Sequence, residues 1–512
     1  QVNMPTAPVY QTISNEDLKY ILNHCEAGIV FISDKNVYQK LVKLEAELPK
    51  LKHVFSFAHI EGVKHFSEFI ELGKKSNRQD QVNEIKKSVT ENDLLTLLYT
   101  SGTTGTPKGV MLSHKNMMAN VHICRNFVPF STQWRALSFL PLNHVYERFL
   151  NTLYLFQGVS IYYAESFESI GDNCREIKPH IFVAVPRVLE RVLERIAGAG
   201  EKLTGFKRNI FDMSMRIAEK YELNGANGAW YAIQRKLCDA LVYKKWRAAI
   251  GGEILYVVSG GAAINPRLER IFTCAGIAML QGYGLTETCV VVAVNRAEES
   301  RRRFGTVGLV VENSEVKIAE EDGEILFKGP SMMLGYYKNE AATSEVIDAE
   351  GWFHTGDIGT FVEGKFLKIT NRKKEIFKTS AGKYIAPAAI ENKLKECRYI
   401  EQCMVIGDGQ KFASALIIPS LASFREYCDK NNITIRENED LLANEELKKL
   451  ISEHVKKTNT TLGQFEQVKR QQLIKGPWTV EGGEITPKLS LKRKVIIEKN
   501  REVMAKIFGG DD

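Results

Sequence analysis

Short apolar runs typical of buried strands alternate along the chain with longer helical patterns. Strand-like runs cover residues 27–33, 180–186, 253–261 and 277–284, and several of them end in Gly or Pro. Residues 186–250 have instead a long helical pattern that is rich in Lys and Arg. This alternation predicts an α/β fold in which helices cover a parallel or mixed β-sheet. In such sheets, ligands bind at the carboxyl ends of the strands.

The composition is that of an ordinary soluble protein, with 44% hydrophobic and 26% charged residues. A length of 512 residues suits about three or four domain-sized units. The formal net charge of +7 is mild for this length, so it favours anionic substrates or a lipid surface without indicating nucleic acid. We therefore expect no nucleic-acid partner.

The nine cysteines include no C-x-x-C pair, and the ten histidines form no H-E-x-x-H motif. This argues for a reducing compartment and against structural zinc. No apolar run approaches the roughly 18 residues of a membrane helix, and no signal peptide opens the sequence. The sequence therefore predicts a cytoplasmic protein. Its first residues suit a strand and loop inside a domain, so we expect a further segment ahead of Gln1.

The segment TSGTTGTPKG, residues 100–109, follows an apolar run that suits a strand inside a parallel sheet. Its glycines can turn sharply and bring backbone N–H groups close to an anion, its threonines add donors, and Lys108 supplies a compact positive charge. The Walker motif is absent, because Pro107 precedes the lysine and Gly109 follows it. A flexible linker is the alternative, but linkers do not follow a buried strand. The predicted phosphate-binding residues are Thr100, Ser101, Gly102, Thr103, Thr104, Gly105 and Lys108.

A second motif, QGYGLTET at residues 281–288, lies at another strand end. Tyr283 offers a ring face to a nucleobase, and the glycines on either side of it allow close approach. Thr286 can donate to a phosphate, and Glu287 can hold Mg²⁺ on that phosphate. The alternative is a turn with a helix capping box. The segment SGGAA, residues 259–263, follows a strand in the same way and can line an adenine.

A third motif, EGWFHTGDIG at residues 350–359, places Asp357 between two glycines, as in a turn. A carboxylate there can accept hydrogen bonds from both hydroxyls of a ribose. Arg372 follows the strand-like run FLKIT, where it can contact the same sugar or its phosphate. The alternative is an ordinary hairpin turn beside a solvated basic run.

Taken in order, TSGTTGTPKG, YGLTET, GWFHTGD, NRKKEIFK and PKLSLKRK resemble the motifs of the ANL superfamily of adenylate-forming enzymes. The run from Glu350 to Lys374 is similar to the signature of the AMP-forming long-chain fatty acyl-CoA synthetase branch. The resemblance implies that a fatty acid and Mg-ATP give acyl-AMP and pyrophosphate, after which CoA displaces AMP to give the thioester. The expected substrates are then a fatty acid, ATP and CoA, and the expected cofactor is Mg²⁺.

The resemblance also implies an architecture of two domains joined by a hinge. A large N-terminal adenylation domain with several subdomains and helix-covered sheets would cover residues 1–371 and lack its first segment. The hinge would comprise residues 372–374, and a small, mobile α+β C-terminal domain would comprise residues 375–512. Asn371 stands where relatives commonly carry an aspartate, so we expect the interactions around the hinge to differ from those of the relatives.

Individual roles follow from the resemblance, position by position. The residues expected to contact adenine and ribose are Gly260, Gly261, Gln281, Tyr283, Gly284, Asp357 and Arg372. The residues expected to be catalytic are Lys492, Glu287, Thr286 and His144, with Glu287 as the metal ligand. His144 would lie beside the acyl carboxylate, although a histidine after a strand also commonly has a structural role. Lys374 corresponds to the hinge, and Gly382 corresponds to the tunnel for the pantetheine of CoA. Around Lys492, the alternative is a solvated basic tail, which suits Lys488, Arg493 and Lys494.

Two other functions remain open from the sequence. One is an adenylation enzyme, such as a fatty acyl-AMP ligase, that loads the phosphopantetheine of a carrier protein and shares these motifs. The other is a catalytically silent binding protein on the same scaffold. It is disfavoured by the joint presence of Lys108, Glu287, Asp357, Arg372 and Lys492, since a binding protein has no need of all of them.

The basic helical region also suggests peripheral contact with a membrane. Its interleaved cations and aromatic residues are Lys236, Lys244, Lys245, Arg247, Trp230, Tyr231, Tyr243 and Trp246. A helix with both kinds of side chain on one face can rest on anionic lipid, from which the protein would draw its substrate. The alternative is a solvated face whose aromatic residues lie in the core, which is the more common arrangement.

Overall fold

The computed structural model of the protein describes residues 3–100, 106–166, 168–262, 264–431, 433–434, 440–479, 481–485 and 491–509. The chain divides into two compact units. The first unit comprises residues 1–317, 326–355 and 361–368, and the second comprises residues 318–325, 356–360 and 369–512.

The α-helices are numbered in chain order. They are α1 (Asn15–His24), α2 (Lys35–Val42), α3 (Phe66–Lys74), α4 (Gln79–Ser88), α5 (His114–Cys124), α6 (Val145–Gln157), α7 (Ile170–Ile177), α8 (Pro186–Glu201), α9 (Gly205–Glu219), α10 (Gly228–Cys238), α11 (Lys244–Ala249), α12 (Pro266–Cys274), α13 (Glu340–Ser344), α14 (Pro387–Leu394), α15 (Leu421–Lys430), α16 (Glu445–Asn459), α17 (Arg493–Lys499) and α18 (Arg501–Phe508).

The β-strands are numbered in the same way. They are β1 (Ile29–Ile32), β2 (His53–Ser56), β3 (Lys64–His65), β4 (Leu94–Thr100), β5 (Lys108–Ser113), β6 (Arg135–Ser138), β7 (Ser160–Tyr163), β8 (Ile181–Ala184), β9 (Tyr256–Ser259), β10 (Ala278–Tyr283), β11 (Ala293–Val294), β12 (Gly308–Val310), β13 (Glu315–Ile318), β14 (Glu324–Lys328), β15 (Gly335–Tyr336), β16 (Phe353–Val362), β17 (Phe366–Arg372), β18 (Phe377–Lys378), β19 (Tyr384–Ile385), β20 (Ile400–Ile406), β21 (Ala413–Pro419) and β22 (Val468–Leu473).

The main sheet of the first unit has the strand order β12-β11-β10-β9-β8-β6-β7. Its strands β10, β9, β8, β6 and β7 run parallel, whereas β11 and β12 are antiparallel to their neighbours. All four residues of β8 are buried, which is why this strand has a continuous apolar run rather than an alternating pattern. The sheet continues from β12 into β17, β16, β14 and β13, which have residues in both units.

One core cluster of the first unit lies between this sheet and the helices from α8 to α12. Phe182, Val257 and Met279 from the strands pack in one cluster with Phe211 and Trp246 from the helices. Two smaller sheets complete the unit, a parallel one with the order β1-β2-β3 and an antiparallel one with the order β15-β5-β4.

The second unit is built on the sheet β20-β21-β22, whose two faces are both covered. Cys403 and Val405 of β20 point into a core shared with α14 and α16. The alternate residues Met404 and Ile406 point into a second core, which includes Ile496 of α17. Because successive side chains of a strand point to opposite faces, each face of this sheet has its own core packed against helices.

The predicted fold class and all four predicted strands are confirmed, and the region 186–250 is helical as expected. One expectation is wrong. The run at residues 94–100 forms β4, which pairs antiparallel with β5, Thr100 opposite Lys108. The physical reason is the short connection between Thr100 and Lys108, since a parallel partner requires a crossover of about a dozen residues or more.

No helix among the described residues is long and apolar enough to cross a membrane.

Candidate active site

Three parallel strands of the first unit deliver predicted site residues to one edge of the main sheet. His144 follows β6, Gly260 follows β9, and Glu287 follows β10. Ser259 and Gln281 are register partners at the ends of β9 and β10. Because the carboxyl ends of parallel strands meet at the same edge, the structure brings these predicted residues into one neighbourhood.

The glycines at these strand ends are required by the packing of the protein itself. A Cβ atom on Gly284 would lie 1.1 Å from the carbonyl oxygen of Val290, and a Cβ atom on Gly260 would lie 2.9 Å from the ring of Tyr146. Gly261 has a φ of +81°, in the region that favours glycine. The packing of the protein therefore requires glycine at position 284, and the predicted contact of Gly284 with adenine or ribose stays a prediction.

The side chains that flank Gly282 are buried. Tyr283 is 9% exposed and Gln281 is 6% exposed. Gly282 itself pairs with Val294 of β11, so β10 is held on both sides at its carboxyl end. The predicted contact of Tyr283 with a nucleobase stays a prediction.

Glu287 lies in a 3-10 turn, Thr286–Thr288, directly after β10. Its backbone carbonyl accepts a hydrogen bond from the N–H of Met333 at 2.7 Å. Its carboxylate accepts a hydrogen bond from the hydroxyl of Tyr336 at 3.0 Å. Asn120 supports the turn from α5, because its side-chain amide donates to the carbonyl of Thr288 at 3.2 Å.

Tyr336 also connects this turn to Lys108. Nζ of Lys108 lies 4.9 Å from the ring centroid of Tyr336, within the range of a cation–π contact. Burial and the neighbouring Glu287 carboxylate raise the pKa of Tyr336 well above its usual range, so its hydroxyl stays a donor. The sequence analysis missed Tyr336, since it lies in the GYYKN segment outside every motif. The pairing of β15 with β5 brings it to Lys108, and that pairing has no local signal in the sequence.

His144 is the N-cap of α6, where Nδ1 of its ring accepts a hydrogen bond from the N–H of Tyr146 at 3.1 Å. The structural role that the sequence left open is therefore present in this residue. One turn later, the carboxyl of Glu147 is buried and accepts a hydrogen bond from the hydroxyl of Ser138. Burial raises the pKa of Glu147 to about 7. Glu147 is a second titratable group near this strand end that no sequence motif indicated.

The predicted phosphate-binding segment is described at its two ends. Thr100 closes β4 and its hydroxyl donates to the carbonyl of Lys108 at 3.5 Å. The predicted residues 101–105, which are Ser101, Gly102, Thr103, Thr104 and Gly105, lie outside the described residues.

In the second unit, the structure brings Asp357 and Arg372 together as predicted. Nε of Arg372 donates to Oδ1 of Asp357 at 2.8 Å, and Asp357 is buried. The expected turn at Asp357 is wrong, because this residue lies within the strand β16. Gly356, the residue before it, has a φ of +72°, in the region that favours glycine. An antiparallel neighbour, β17, ends at Arg372 and supplies the ion pair.

The residue after Arg372 has a network that sequence reasoning missed. Nζ of Lys373 lies 2.6 Å from Oδ2 of Asp322 and 2.9 Å from Oε2 of Glu324. Hydrogen bonds from these carboxylates raise the pKa of Lys373. The N–H of Gly356 donates to Oε1 of the same Glu324 at 2.8 Å. Lys373 is therefore anchored, whereas Lys374, the predicted hinge residue, is exposed.

Gly382 lies in the exposed hairpin between β18 and β19 and has a φ of +77°. Its N–H donates to the carbonyl of Thr379 at 2.8 Å, so a tight turn explains the glycine without reference to a ligand. A Cβ atom at Gly382 would have one neighbour within 4 Å, Cε of Lys378 at 3.7 Å.

Lys492 directly precedes α17, and its N–H donates to the carbonyl of Glu484 at 2.7 Å. Its neighbour Arg493 does not belong to a solvated basic tail, which corrects the alternative that the sequence left open for it. Nη2 of Arg493 lies 2.8 Å from Oε2 of the buried Glu391. Since breaking a buried ion pair is costly, Arg493 fixes the backbone next to Lys492. Lys488 lies outside the described residues.

The donor set around Glu287 fits Mg²⁺ better than a metal held by protein alone. The structure describes no group of three or more His, Cys, Asp and Glu side chains that could cage a metal ion within its described ranges. Mg²⁺ is usually bound through one or two carboxylates together with substrate phosphates. Glu287 supplies one carboxylate, and one of its oxygens already accepts from Tyr336.

Residues 1–337 match the family of AMP-binding enzymes, and residues 374–511 match the AMP-binding enzyme C-terminal domain. The chain belongs to the AMP-binding enzyme family. This AMP-binding enzyme is 33% identical to the long-chain-fatty-acid–CoA ligase FadD15 of Mycobacterium bovis over 508 residues. The aligned residues cover 97% of this chain and 83% of that protein. It is 31% identical to the human long-chain-fatty-acid–CoA ligase 1, over 96% of this chain and 73% of that protein. It is 30% identical to the peroxisomal long chain acyl-CoA synthetase 6 of Arabidopsis thaliana, over 98% of this chain and 74% of that protein. The family resemblance inferred from the motifs is confirmed.

Solved structures of adenylation domains share the fold of this AMP-binding enzyme. The adenylation domain of a carboxylate reductase from Mycobacterium chelonae superposes with a TM-score of 0.73 at 21% identity, covering 98% of this chain and 76% of that one. The corresponding domain of a carboxylic acid reductase from Segniliparus rugosus, in complex with AMP and a carboxylic acid, has a TM-score of 0.71 at 19% identity, covering 99% of this chain and 79% of that one. At these identities the likeness concerns the fold.

Proposed function

We propose that the protein is an AMP-forming long-chain fatty acid–CoA ligase. In the first step, a carboxylate oxygen of the fatty acid attacks the α-phosphorus of ATP, the bond to the β-phosphate breaks, and acyl-AMP and pyrophosphate form. In the second step, the sulfur of CoA attacks the acyl carbonyl, the thiol loses its proton, and AMP leaves. The observation that carries the proposal is the similarity, over nearly the full chain, to curated long-chain fatty acid–CoA ligases.

The first step requires negative charge on both reactants to be neutralised, so catalysis depends on positioning and electrostatic stabilisation. Lys108 serves the outer phosphates together with the loop that precedes it. Thr286 donates to the α-phosphate, and Lys492 supplies a cation to the carboxylate and the α-phosphate as they react. Asp357 and Arg372 contact the ribose, and their ion pair fixes both side chains in one orientation before a sugar binds.

Mg²⁺ is the cofactor of the proposed reaction, and Glu287 is the residue that would hold it. When bound, the ion neutralises phosphate charge that side chains alone leave uncompensated. The part of the protein is to orient the Glu287 carboxylate. The hydroxyl of Tyr336 contributes to this, because its hydrogen bond to Oε1 of Glu287 fixes the position of the carboxylate.

The second step uses CoA, and Gly382 is assigned to the path of its pantetheine. The exposed hairpin at Gly382 leaves open space where a side chain would stand, which suits a position that a thin chain must pass. Lys374 is assigned to the hinge between an N-terminal domain ending at Asn371 and a C-terminal domain beginning at Glu375. Lys374 is exposed, whereas the side chain of the adjacent Lys373 is tied to two carboxylates, which favours Lys374 as the position of the dihedral change.

The experiment that tests this function measures the products with each acceptor. The purified protein is incubated with ATP, Mg²⁺ and fatty acids of increasing chain length, with CoA or with a holo-carrier protein. We expect AMP, pyrophosphate and acyl-CoA in equal amounts, with the highest kcat/KM for long chains. Thioester on the carrier but not on CoA would identify a carrier-loading enzyme instead, and no pyrophosphate with any acid would identify a silent binding protein. The Glu287→Gln variant should lose adenylation while its unfolding transition stays unchanged.

A further inference from the structure

The outer face of α10 and of the π-helical turn that follows it, Asp239–Tyr243, is apolar and exposed. Trp230 is 71% exposed, Ile233 59%, Leu237 54% and Leu241 40%. These residues follow one another at intervals of three and four positions, so they lie along one face of the helix. We refer to these four residues as the apolar stripe.

The inner face of the same segment already has its partners. Tyr231 donates from its hydroxyl to the carbonyl of Ile217 at 2.5 Å, and Tyr243 donates to the carbonyl of Ser214 at 2.7 Å. Trp246 packs in the core of the first unit. A helix that is apolar on both sides is typical of a helix with partners on both sides. The fold accounts for the inner face, and the apolar stripe requires a second partner.

The residues exposed here differ from those that the sequence indicated. Tyr243 and Trp246 are buried, and Arg247 is held by Asp239 at 2.6 Å. The membrane contact expected from these side chains is therefore not available to them. The aliphatic residues Ile233 and Leu237, which the sequence analysis did not single out, form the exposed surface instead.

The charges around the apolar stripe are positive. Lys236, Lys244 and Lys245 are exposed along the same helical segment. Asp239 is the one acidic residue in the sequence from 228 to 250, and its ion pair with Arg247 offsets its charge. Exposed aliphatic and Trp side chains bordered by lysines are the features of a helix that lies in the interface of an anionic bilayer.

We propose that the apolar stripe docks the protein on the surface of an anionic lipid bilayer. The stripe enters the boundary between headgroups and acyl chains, and the three lysines contact the anionic headgroups. Pairing of two copies through the same face would instead bring their lysines close together, and like charges repel. The benefit of docking rests on the proposed function, since long-chain fatty acids partition into bilayers and docking would bring the enzyme to its substrate. The docking surface itself is argued from the exposed residues alone.

The first test is vesicle flotation of the full chain. The probe is vesicles of phosphatidylcholine with or without phosphatidylserine, and the variant combines Trp230→Ser, Ile233→Ser and Leu237→Ser. The matched control combines Leu155→Ser and Phe156→Ser on α6, which are 72% and 46% exposed. We expect binding to phosphatidylserine vesicles that the stripe variant loses by at least about tenfold and that the control retains. Binding by the stripe variant equal to that of the unmodified protein would overturn the proposal.

The second test uses the lysines and the fluorescence of Trp230. The combined variant Lys236→Gln, Lys244→Gln and Lys245→Gln should bind phosphatidylserine vesicles roughly 100-fold more weakly, since each cation near an anionic surface contributes about fivefold. Vesicles that contain brominated acyl chains should quench Trp230, because Trp134, Trp246 and Trp478 are buried and Trp352 is half-buried, with Nζ of Lys317 4.6 Å from its ring centroid. The Trp230→Phe variant should bind but lose this quenching. Equal quenching in Trp230→Phe would overturn the proposed orientation.

Two further outcomes separate this inference from others. If the stripe variant changes the sedimentation coefficient of the protein without vesicles, the partner of the stripe is a second copy and the proposal fails. If no fatty acid supports adenylation but vesicle binding still depends on the stripe, the proposed function fails and the docking surface stands. With a short-chain acid supplied in solution, the stripe variant should have the kcat/KM of the unmodified protein.

Discussion

Replacing Tyr336 with Phe removes one hydroxyl group at the point where it holds the Glu287 carboxylate. The hydroxyl donates to Oε1 of Glu287 at 3.0 Å, while the ring lies 4.9 Å from Nζ of Lys108. Phe keeps the ring, so the contact with Lys108 and the pairing of residue 336 with Val110 are retained. The substitution therefore isolates the hydrogen bond to the carboxylate.

The magnitude follows from the burial and the charge of this contact. A hydrogen bond to a charged group contributes about 1.5 to 3 kcal/mol. Tyr336 is 7% exposed, so water cannot easily take the place of its hydroxyl. If Glu287 acts in adenylation, this loss corresponds to a kcat/KM that is roughly 10- to 150-fold lower. The effect on folding should be small, since the ring and the strand pairing remain.

The assay is exchange of labelled pyrophosphate into ATP in the presence of a long-chain fatty acid, at several Mg²⁺ concentrations. The matched control is Tyr99→Phe, which removes a hydroxyl that bonds Nδ1 of His24 at 2.8 Å in the same small sheet. We expect Tyr336→Phe to require more Mg²⁺ and to exchange slowly, and Tyr99→Phe to exchange normally. Normal exchange by Tyr336→Phe, or equal losses in both variants, would refute the role of Tyr336 as the residue that positions Glu287.

Three further predictions follow from single contacts. Gly284→Ala should lower the midpoint of thermal unfolding measured by circular dichroism, because its Cβ would lie 1.1 Å from the carbonyl oxygen of Val290 and overpacking typically costs about 1 to 3 kcal/mol. Glu147→Gln should remove a pH dependence: burial raises the folded pKa of Glu147 to about 7, so the folded protein binds an extra proton and its free energy of unfolding in urea falls as the pH rises from about 4.5 to above 7. Lys492→Ala should slow formation of acyl-AMP about 10²- to 10³-fold yet still convert supplied acyl-AMP and CoA to thioester, whereas Gly382→Leu should accumulate acyl-AMP.

Each of these predictions has a contradicting result. An unfolding midpoint of Gly284→Ala equal to that of Gly73→Ala, which meets no atom within 4 Å, would contradict the packing argument. The same fall in stability with pH in Glu147→Gln as in the unmodified protein would assign the pH dependence to other groups. Equal impairment of both half-reactions in Lys492→Ala and in Gly382→Leu would contradict the assignment of these residues to separate steps.

The fold was predictable where the signal is local. The continuous apolar run of β8 indicates a strand buried on both faces, and all four of its residues are buried. The pairing of β4 was not predictable from its composition, because a buried strand has the same apolar residues in a parallel or an antiparallel sheet. The short connection between Thr100 and Lys108 indicates the antiparallel pairing, because a parallel partner requires a longer crossover.

The site residues were predictable where they lie within recognisable sequence motifs. Asp357 and Arg372, which the motifs assigned to the same ribose, lie together as an ion pair. Tyr336 and Lys373 were not predictable, because each meets its partners through strand pairing between distant segments of the chain. The motif also did not indicate that glycine at position 284 is required by contact with the backbone of Val290.

The most direct test of the proposed reaction is exchange of labelled pyrophosphate into ATP by the full chain, with a long-chain fatty acid and without CoA. The account predicts exchange that requires both the fatty acid and Mg²⁺ and that falls severely in Glu287→Gln. Once CoA is added, the reaction should produce acyl-CoA and AMP. Formation of ADP and phosphate, or exchange that begins only after CoA is added, would contradict an acyl-adenylate intermediate.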